Sequence, residues 1–144
     1  MLWCRHNIGA TNPEDAGLYF AWGETTGYAD AAARNTALGR SDGFSSDAYT
    51  ATGGAAITDS VLSLEHDAAQ SYMGLDWRMP TKEDFEELAN NTDYESISIN
   101  GISCMKLMKK TDHSVYIIIP HSGNYDGNQS NGYNNYSANW SSTS

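Results

Sequence analysis

The dipeptide Asn100-Gly101 separates two stretches, 94–99 and 102–109, that read as strands of period two. A two-residue Asn-Gly loop needs left-handed backbone at both positions, and the turn that provides it joins antiparallel neighbours. A third strand, 114–119, follows the polar residues 110–113, so this part of the chain reads as an antiparallel meander. Upstream the period is helical. Leu64, Ala68 and Tyr72 recur at four-residue spacing with Ala69 and Met73 beside them, and Gly74 supplies a stop. A second helix opens after Pro80, where Thr81 caps and Asp84 answers it three residues on, as in a capping box. Its Phe85, Leu88 and Ala89 line one face, Lys82, Glu83, Glu86 and Glu87 stay in water, and Asn90-Asn91 ends it. Helices followed by strands make the class α+β, with two helices packed on an antiparallel sheet.

The first third of the chain carries weaker signals. Residues 3–10 read as a strand, Asn12-Pro13-Glu14-Asp15 as a helix start capped by Asn12, and 18–22 as an aromatic strand broken by Gly23. Residues 24–58 are rich in Gly, Ala, Ser, Thr and Asp without sustained periodicity, which predicts a long irregular insertion over the surface. With 144 residues, the chain fits one domain spanning 1–144. Trp3, Trp22, Trp77, Phe85, Leu88, Ile117 and Ile119 are expected to be largely buried.

Charge narrows the partners. Eight basic against eighteen acidic residues give a net charge of −10, and the basic ones are scattered, so a phosphate backbone is repelled and nucleic acid is not expected as a partner. The longest apolar run, 115–119, is far short of the roughly 20 residues that cross a bilayer. Met1-Leu2-Trp3-Cys4 carries no secretory-signal pattern. Cys4 and Cys104 either pair or stay as buried thiols, and no CxxC pair or Cys/His cluster suggests a zinc site, so no cofactor or metal is expected.

Beyond Pro120 the composition changes. The 24 residues 121–144 hold six Asn, six Ser, three Tyr and three Gly, with no Lys, Arg or Glu. Tyr125, Tyr133, Tyr136 and Trp140 are too many aromatics for a solvated linker, so the tract reads as an ordered polar-aromatic surface. Tyr gives a large amphipathic contact at low entropy cost, and Asn, Ser and Gly give adaptable hydrogen bonding. Asn124, Tyr125, Asn128, Asn131, Tyr133, Asn134, Asn135 and Tyr136 are therefore the expected ligand-binding residues, with Trp140 beneath them as a buried support. Arg78 is expected to pair with a buried carboxylate or carbonyls, and Glu24 with a buried donor. His66-Asp67 resembles a base with its orienting acid, but adjacent helix residues do not face each other.

Several elements together resemble one family. Cys4-Arg5-His6-Asn7-Ile8-Gly9-Ala10, Pro13-Glu14-Asp15, Ala21-Trp22-Gly23-Glu24, Glu65-His66-Asp67-Ala68-Ala69, Trp77-Arg78-Met79-Pro80-Thr81, Ile118-Ile119-Pro120 and Trp140-Ser141-Ser142 resemble, in order, the landmarks of the major paralogous domain family named after Fibrobacter. The resemblance implies a C-type-lectin-like fold and a non-catalytic ligand-binding or adhesion role on a bacterial surface or a phage. The partner would be a protein or glycan on a cell surface. Similar proteins from gut Bacteroides and their phages are diversified by retroelements, and the adenine-rich Asn codons of the tract suit that process. In such proteins further strands follow the WSS element, so truncation at the C-terminal end, with an open sheet edge there, is also expected. Two rivals remain: a structural module of a larger surface or tail protein, and a formylglycine-generating-type enzyme, whose cysteine context neither Cys4 nor Cys104 shares. The Glu-Pro-Asn, Gln-Pro-Asp and Trp-Asn-Asp elements of sugar-binding calcium lectins do not occur, although Asp residues within 24–60 retain the chemistry for a structural ion.

Overall fold

A computed structural model describes residues 2–44, 57 and 60–143. Its centre is the meander, β1 (Thr92–Ile99), β2 (Ile102–Lys109) and β3 (Asp112–Pro120), in the order β1-β2-β3 and antiparallel throughout. Asn100 at φ 51° and Gly101 at φ 83° form the left-handed turn between β1 and β2; an Asn-Gly pair adopts this at little cost. The register sets Ile97 opposite Cys104 and Cys104 opposite Pro120, with Ile118 opposite Lys106. Cys104, Ile118 and Pro120 are buried on that face, whereas Leu107 is buried on the other. β1 and β3 begin two residues earlier than the alternation alone suggests, because the helix Lys82–Asn91 runs directly into β1 and the turn before β3 is short.

Among the described residues, three helices and a 3-10 turn precede the sheet. α1 (Ala31–Leu38) lies inside the stretch expected to be irregular. Asp30 caps it by accepting from the Ala33 amide, and Gly39 at φ 64° stops it, so a short Ala-rich helix stands between two sound end signals. Other parts of that expected insertion, 45–56 and 58, lie outside the described residues. The expected helix on Leu64, Ala68 and Tyr72 is divided: Leu64–His66 forms the 3-10 turn, and α2 (Ala68–Met73) begins only after Asp67. The reason is the Asp67 carboxylate. One oxygen accepts from the Gln70 amide as the helix cap and the other from the Met79 amide, which fixes α2 to the Trp77–Pro80 region. Ala68 and Ala69 consequently face inward while Leu64 and Tyr72 are exposed.

α3 (Lys82–Asn91) has the expected capping box in both directions between Thr81 and Asp84. Arg78 reaches back to the Asp84 carboxylate and the Met79 carbonyl, as its pairing expectation required. Phe85 and Leu88 are half-buried, but Ala89 is exposed. Two upstream expectations fail. No strand forms among residues 3–10 or 18–22, apart from an isolated bridge between Tyr19 and Tyr28. At Asn12-Pro13 the chain makes a turn and not a helix, because Asp15 accepts from the Thr11 and Asn12 amides and closes the segment locally.

The expected core is the largest correction. Trp3, Trp22, Trp77, Phe85, Leu88, Ile117 and Ile119 are all half-buried, not largely buried. Trp3, Trp22, Trp77, Phe85, Ile117 and Ile119 line a cleft of about 1250 Å³ that opens beside the sheet, so each keeps part of its surface toward that space. The buried side chains are instead Ala31, Leu62, Ala68, Ala69, Cys104, Leu107 and Ile118, together with Phe44 and the fully enclosed Arg34. No helix among the described residues is long and apolar enough to cross a membrane.

The Arg78 guanidinium beside Asp84, aided by the Thr81 amide, holds the Asp84 carboxyl at about 2 instead of the ordinary 3.8. A carboxyl depressed on folding adds stability above its unfolded pKa and loses it as pH falls through the folded value. Urea titrations should therefore show Asp84→Asn less stable than the parent at neutral pH, with the difference shrinking between about pH 4 and about 2. A difference that stays constant across that window would mean the pair does not carry the acid dependence.

Candidate functional site

The polar-aromatic tract is an ordered structure fastened at several points. After Pro120 the His121 amide donates to the Ser103 carbonyl, and the Tyr19 hydroxyl donates to the carbonyl of buried Ser122 at 2.7 Å. β4 (Asn124–Asp126) and β5 (Gln129–Asn131) then form a small antiparallel hairpin, with Tyr125 opposite Ser130. At its tip Gly127 exchanges two backbone hydrogen bonds with Phe44, at 2.8 and 3.1 Å. Asn128 completes the junction: its side chain accepts from Asn35 and donates to the Ser41 carbonyl, each at 2.7 Å. Asn35 accepts in turn from the Gly43 amide.

Beneath this junction lies a buried cation. Arg34, on the inner face of α1, is 0% exposed, bonds Glu24 at 2.6 Å and donates to the Gly43 carbonyl. Its guanidinium carbon stands 5.2 Å from the centre of the Phe44 ring. Phe44 packs on Tyr125 at 5.5 Å, and Tyr125 meets Tyr19 edge-on at 4.8 Å. Burial, then the neighbouring Tyr125 and Tyr133, push the Tyr19 hydroxyl up to about 12, so it remains a donor throughout the physiological range. The expectation for Glu24 is met, and Arg34 is its donor.

A second turn follows the hairpin. Gly132 accepts from the Asn135 and Tyr136 amides, and the Tyr136 ring covers it so closely that a Cβ there would stand 1.7 Å from a ring carbon. At φ 69° the position is left-handed as well, so glycine is required on both counts. Asn134, at φ 63°, accepts from the Ser103 amide with its side chain and gives its own amide to the His121 carbonyl. The Tyr136 hydroxyl donates to the Asn124 side chain.

The eight expected ligand residues therefore divide. Asn124, Tyr125, Asn128 and Asn134 are engaged in holding the tract together. Asn131, Tyr133, Asn135 and Tyr136 are exposed on its outside, Tyr133 at 49% and Tyr136 at 42%. The turn at Gly132 brings these four close in sequence and on one segment. Trp140 is not the buried support; it is 54% exposed, held by donation from its indole nitrogen to the Phe20 carbonyl at 2.8 Å. The support comes instead from Tyr19, Arg34, Phe44 and Tyr125. Arg34, Asn35 and Phe44 were hidden by the plain composition of their stretch, and the Asp30 and Gly39 end signals were the usable clue. No strand opens at Trp140; the WSS element is fixed by an isolated bridge of Thr143 to Val61 and by the Ser142 amide on the Pro80 carbonyl.

His66 faces the Gly23 carbonyl at 3.3 Å and Asp67 is occupied as a helix cap, so the two act on backbone and not on each other. Cys4 and Cys104 are free thiols, with Cys104 buried. Among the described residues no three His, Cys, Asp or Glu side chains gather in a metal-holding group. The 1250 Å³ cleft is lined by Asn124, Tyr125, Asn131 and Tyr136 of the tract and by Trp3, Trp22 and Trp77. No family model matches the chain, and no curated protein or solved structure matches it either.

Proposed function

We propose that this chain is a non-catalytic recognition domain that binds a protein or glycan on a cell surface through the exposed edge of its polar-aromatic tract. The observation that carries the reading is the division within the tract. Of the eight expected residues, Asn124, Tyr125, Asn128 and Asn134 fix the loop, and Asn131, Tyr133, Asn135 and Tyr136 present exposed surface, with the Tyr136 hydroxyl held by Asn124, on a framework that needs little further ordering to bind. Rigid tyrosines with adaptable amides beside them are the composition of a paratope. The α+β arrangement of helices and antiparallel sheet is compatible with the C-type-lectin-like fold implied by the family resemblance, and that resemblance supports placing the protein outside the cell or on a phage.

The rival, a structural module in a larger assembly, draws support from the exposed apolar side chains away from the tract, Leu2, Leu64 and Leu75. Arrayed glycans and cell-surface proteins probed with the chain separate the two. Tyr133→Ala combined with Asn135→Ala should weaken the retained interaction about tenfold or more, in line with loss of a tyrosine anchor, while leaving far-UV circular dichroism unchanged. Tyr125→Ala should instead lower the melting temperature, since that ring is packed between Tyr19 and Phe44. Equal binding by the parent and the double variant would remove the tract from recognition and leave the module. Retroelement diversification has its own test: a near-copy of the 3′ coding region differing at adenines, beside a reverse transcriptase gene, should lie downstream, and its absence would end that part of the reading.

A further inference from the structure

We propose that the cleft is a slot for an extended polypeptide, which would enter as an added strand on the free edge of β3. Among the described residues β3 pairs with β2 on one side only, and no backbone-to-backbone hydrogen bond from outside the meander reaches 113–119. A free edge of this kind presents unpaired N–H and C=O groups that an extended backbone satisfies. Ile117, Ile118 and Ile119 all line the cleft. Successive strand residues point to opposite faces, so a space that touches all three follows the strand's edge and does not lie over one face. Trp3, Trp22 and Trp77, each half-buried, line the same cleft, and against them alternate apolar side chains of an incoming strand would lose their water.

Charge states the occupant further. Among the lining residues Arg78 is already held by Asp84, whereas Asp76 and Asp126 lie exposed on the rim, on a chain of net charge −10. The fitting occupant is a strand-forming peptide with alternating apolar residues and basic ends. The slot shares Asn131 and Tyr136 with the tract's outer residues, whereas Tyr133 lies outside its lining, so a change at Tyr133 tells the two readings apart.

All four tryptophans line the cleft, so their fluorescence reports its filling. The probe is a short synthetic peptide of alternating valine and threonine between lysine ends, titrated by fluorescence and calorimetry. Saturable binding with a blue-shifted tryptophan emission is expected. Methylating alternate backbone amides of the peptide should weaken binding about tenfold or more, since it removes strand hydrogen bonds without removing apolar surface. Replacing the lysines with glutamates should weaken it about fivefold, and the exposed swaps Asp76→Lys and Asp126→Lys should reverse that preference. Tyr133→Ser should leave peptide binding as it was, even if surface recognition is lost. The proposal is overturned if the lysine peptide does not bind, or if the methylated peptide binds as well. It is equally overturned if tryptophan emission shifts with protein concentration alone as the chain self-associates, which would make a second copy the occupant.

Discussion

The buried guanidinium of Arg34 is the constraint on which the arrangement of the candidate site depends. A cation with no exposed surface must be matched by charge and hydrogen bonds, and here Glu24, the Gly43 carbonyl and the Phe44 ring do so. Glu24 and the adjacent pair Gly43-Phe44 come from different parts of the chain, so the cation fixes the distance between the turn after Trp22-Gly23, the helix α1 and the segment ending at Phe44. A buried pair of this kind adds little net stability over an apolar replacement, but breaking it by removing one partner costs about 3–5 kcal/mol. Its value lies in allowing one arrangement and penalising others. Phe44, once placed, provides both the backbone partner of Gly127 and the face on which Tyr125 packs.

From that point the tract is explained by ordinary local chemistry. Asn128 and Asn134 satisfy backbone groups that would otherwise be left open at the two turns, and Gly132 permits a ring to lie across the chain. The price of an ordered surface loop is that many of its polar side chains face inward to their own backbone. What remains outside is a small group of tyrosines and asparagines, poor in charge on a strongly acidic protein. The sheet and α3 have their own local devices, the Asn100-Gly101 turn and the Thr81–Asp84 box, α2 is held by the Asp67 double acceptance, and the tract is tied to β2 at Ser103.

The parts legible in the sequence were those determined within a few neighbouring residues. The hairpin turn, the capping box, the Gly74 stop and the three strands depend on local backbone chemistry, and all lie where their residues indicated, apart from the two-residue earlier starts of β1 and β3. The pairings of Arg78 and Glu24 were legible in kind, although the identity of Arg34 was not, since it is ten residues from its partner. The composition of the tract identified a polar-aromatic surface but could not divide it, because an Asn that binds a ligand and an Asn that ties a turn are the same letter. Burial of the tryptophans was misjudged for a related reason. Size and apolarity favour the interior, but the cleft beside β3 is made by distant segments, and no local pattern announces it. Trp140 shows this most clearly, with its indole nitrogen satisfied by Phe20 while its ring remains in solvent.

The central claim is that Arg34, through Phe44, holds the tract in one conformation. Native-state amide hydrogen exchange measures this directly, because the Phe44 and Gly127 amides donate to each other's carbonyls across the junction. Both should be strongly protected in the parent protein. In Glu24→Gln both should lose protection by a common factor, while the Met105 and Leu107 amides in the central strand keep theirs. A Gly127 amide that exchanges freely in the parent, or one that keeps its full protection when the Glu24 charge is removed, would contradict the account.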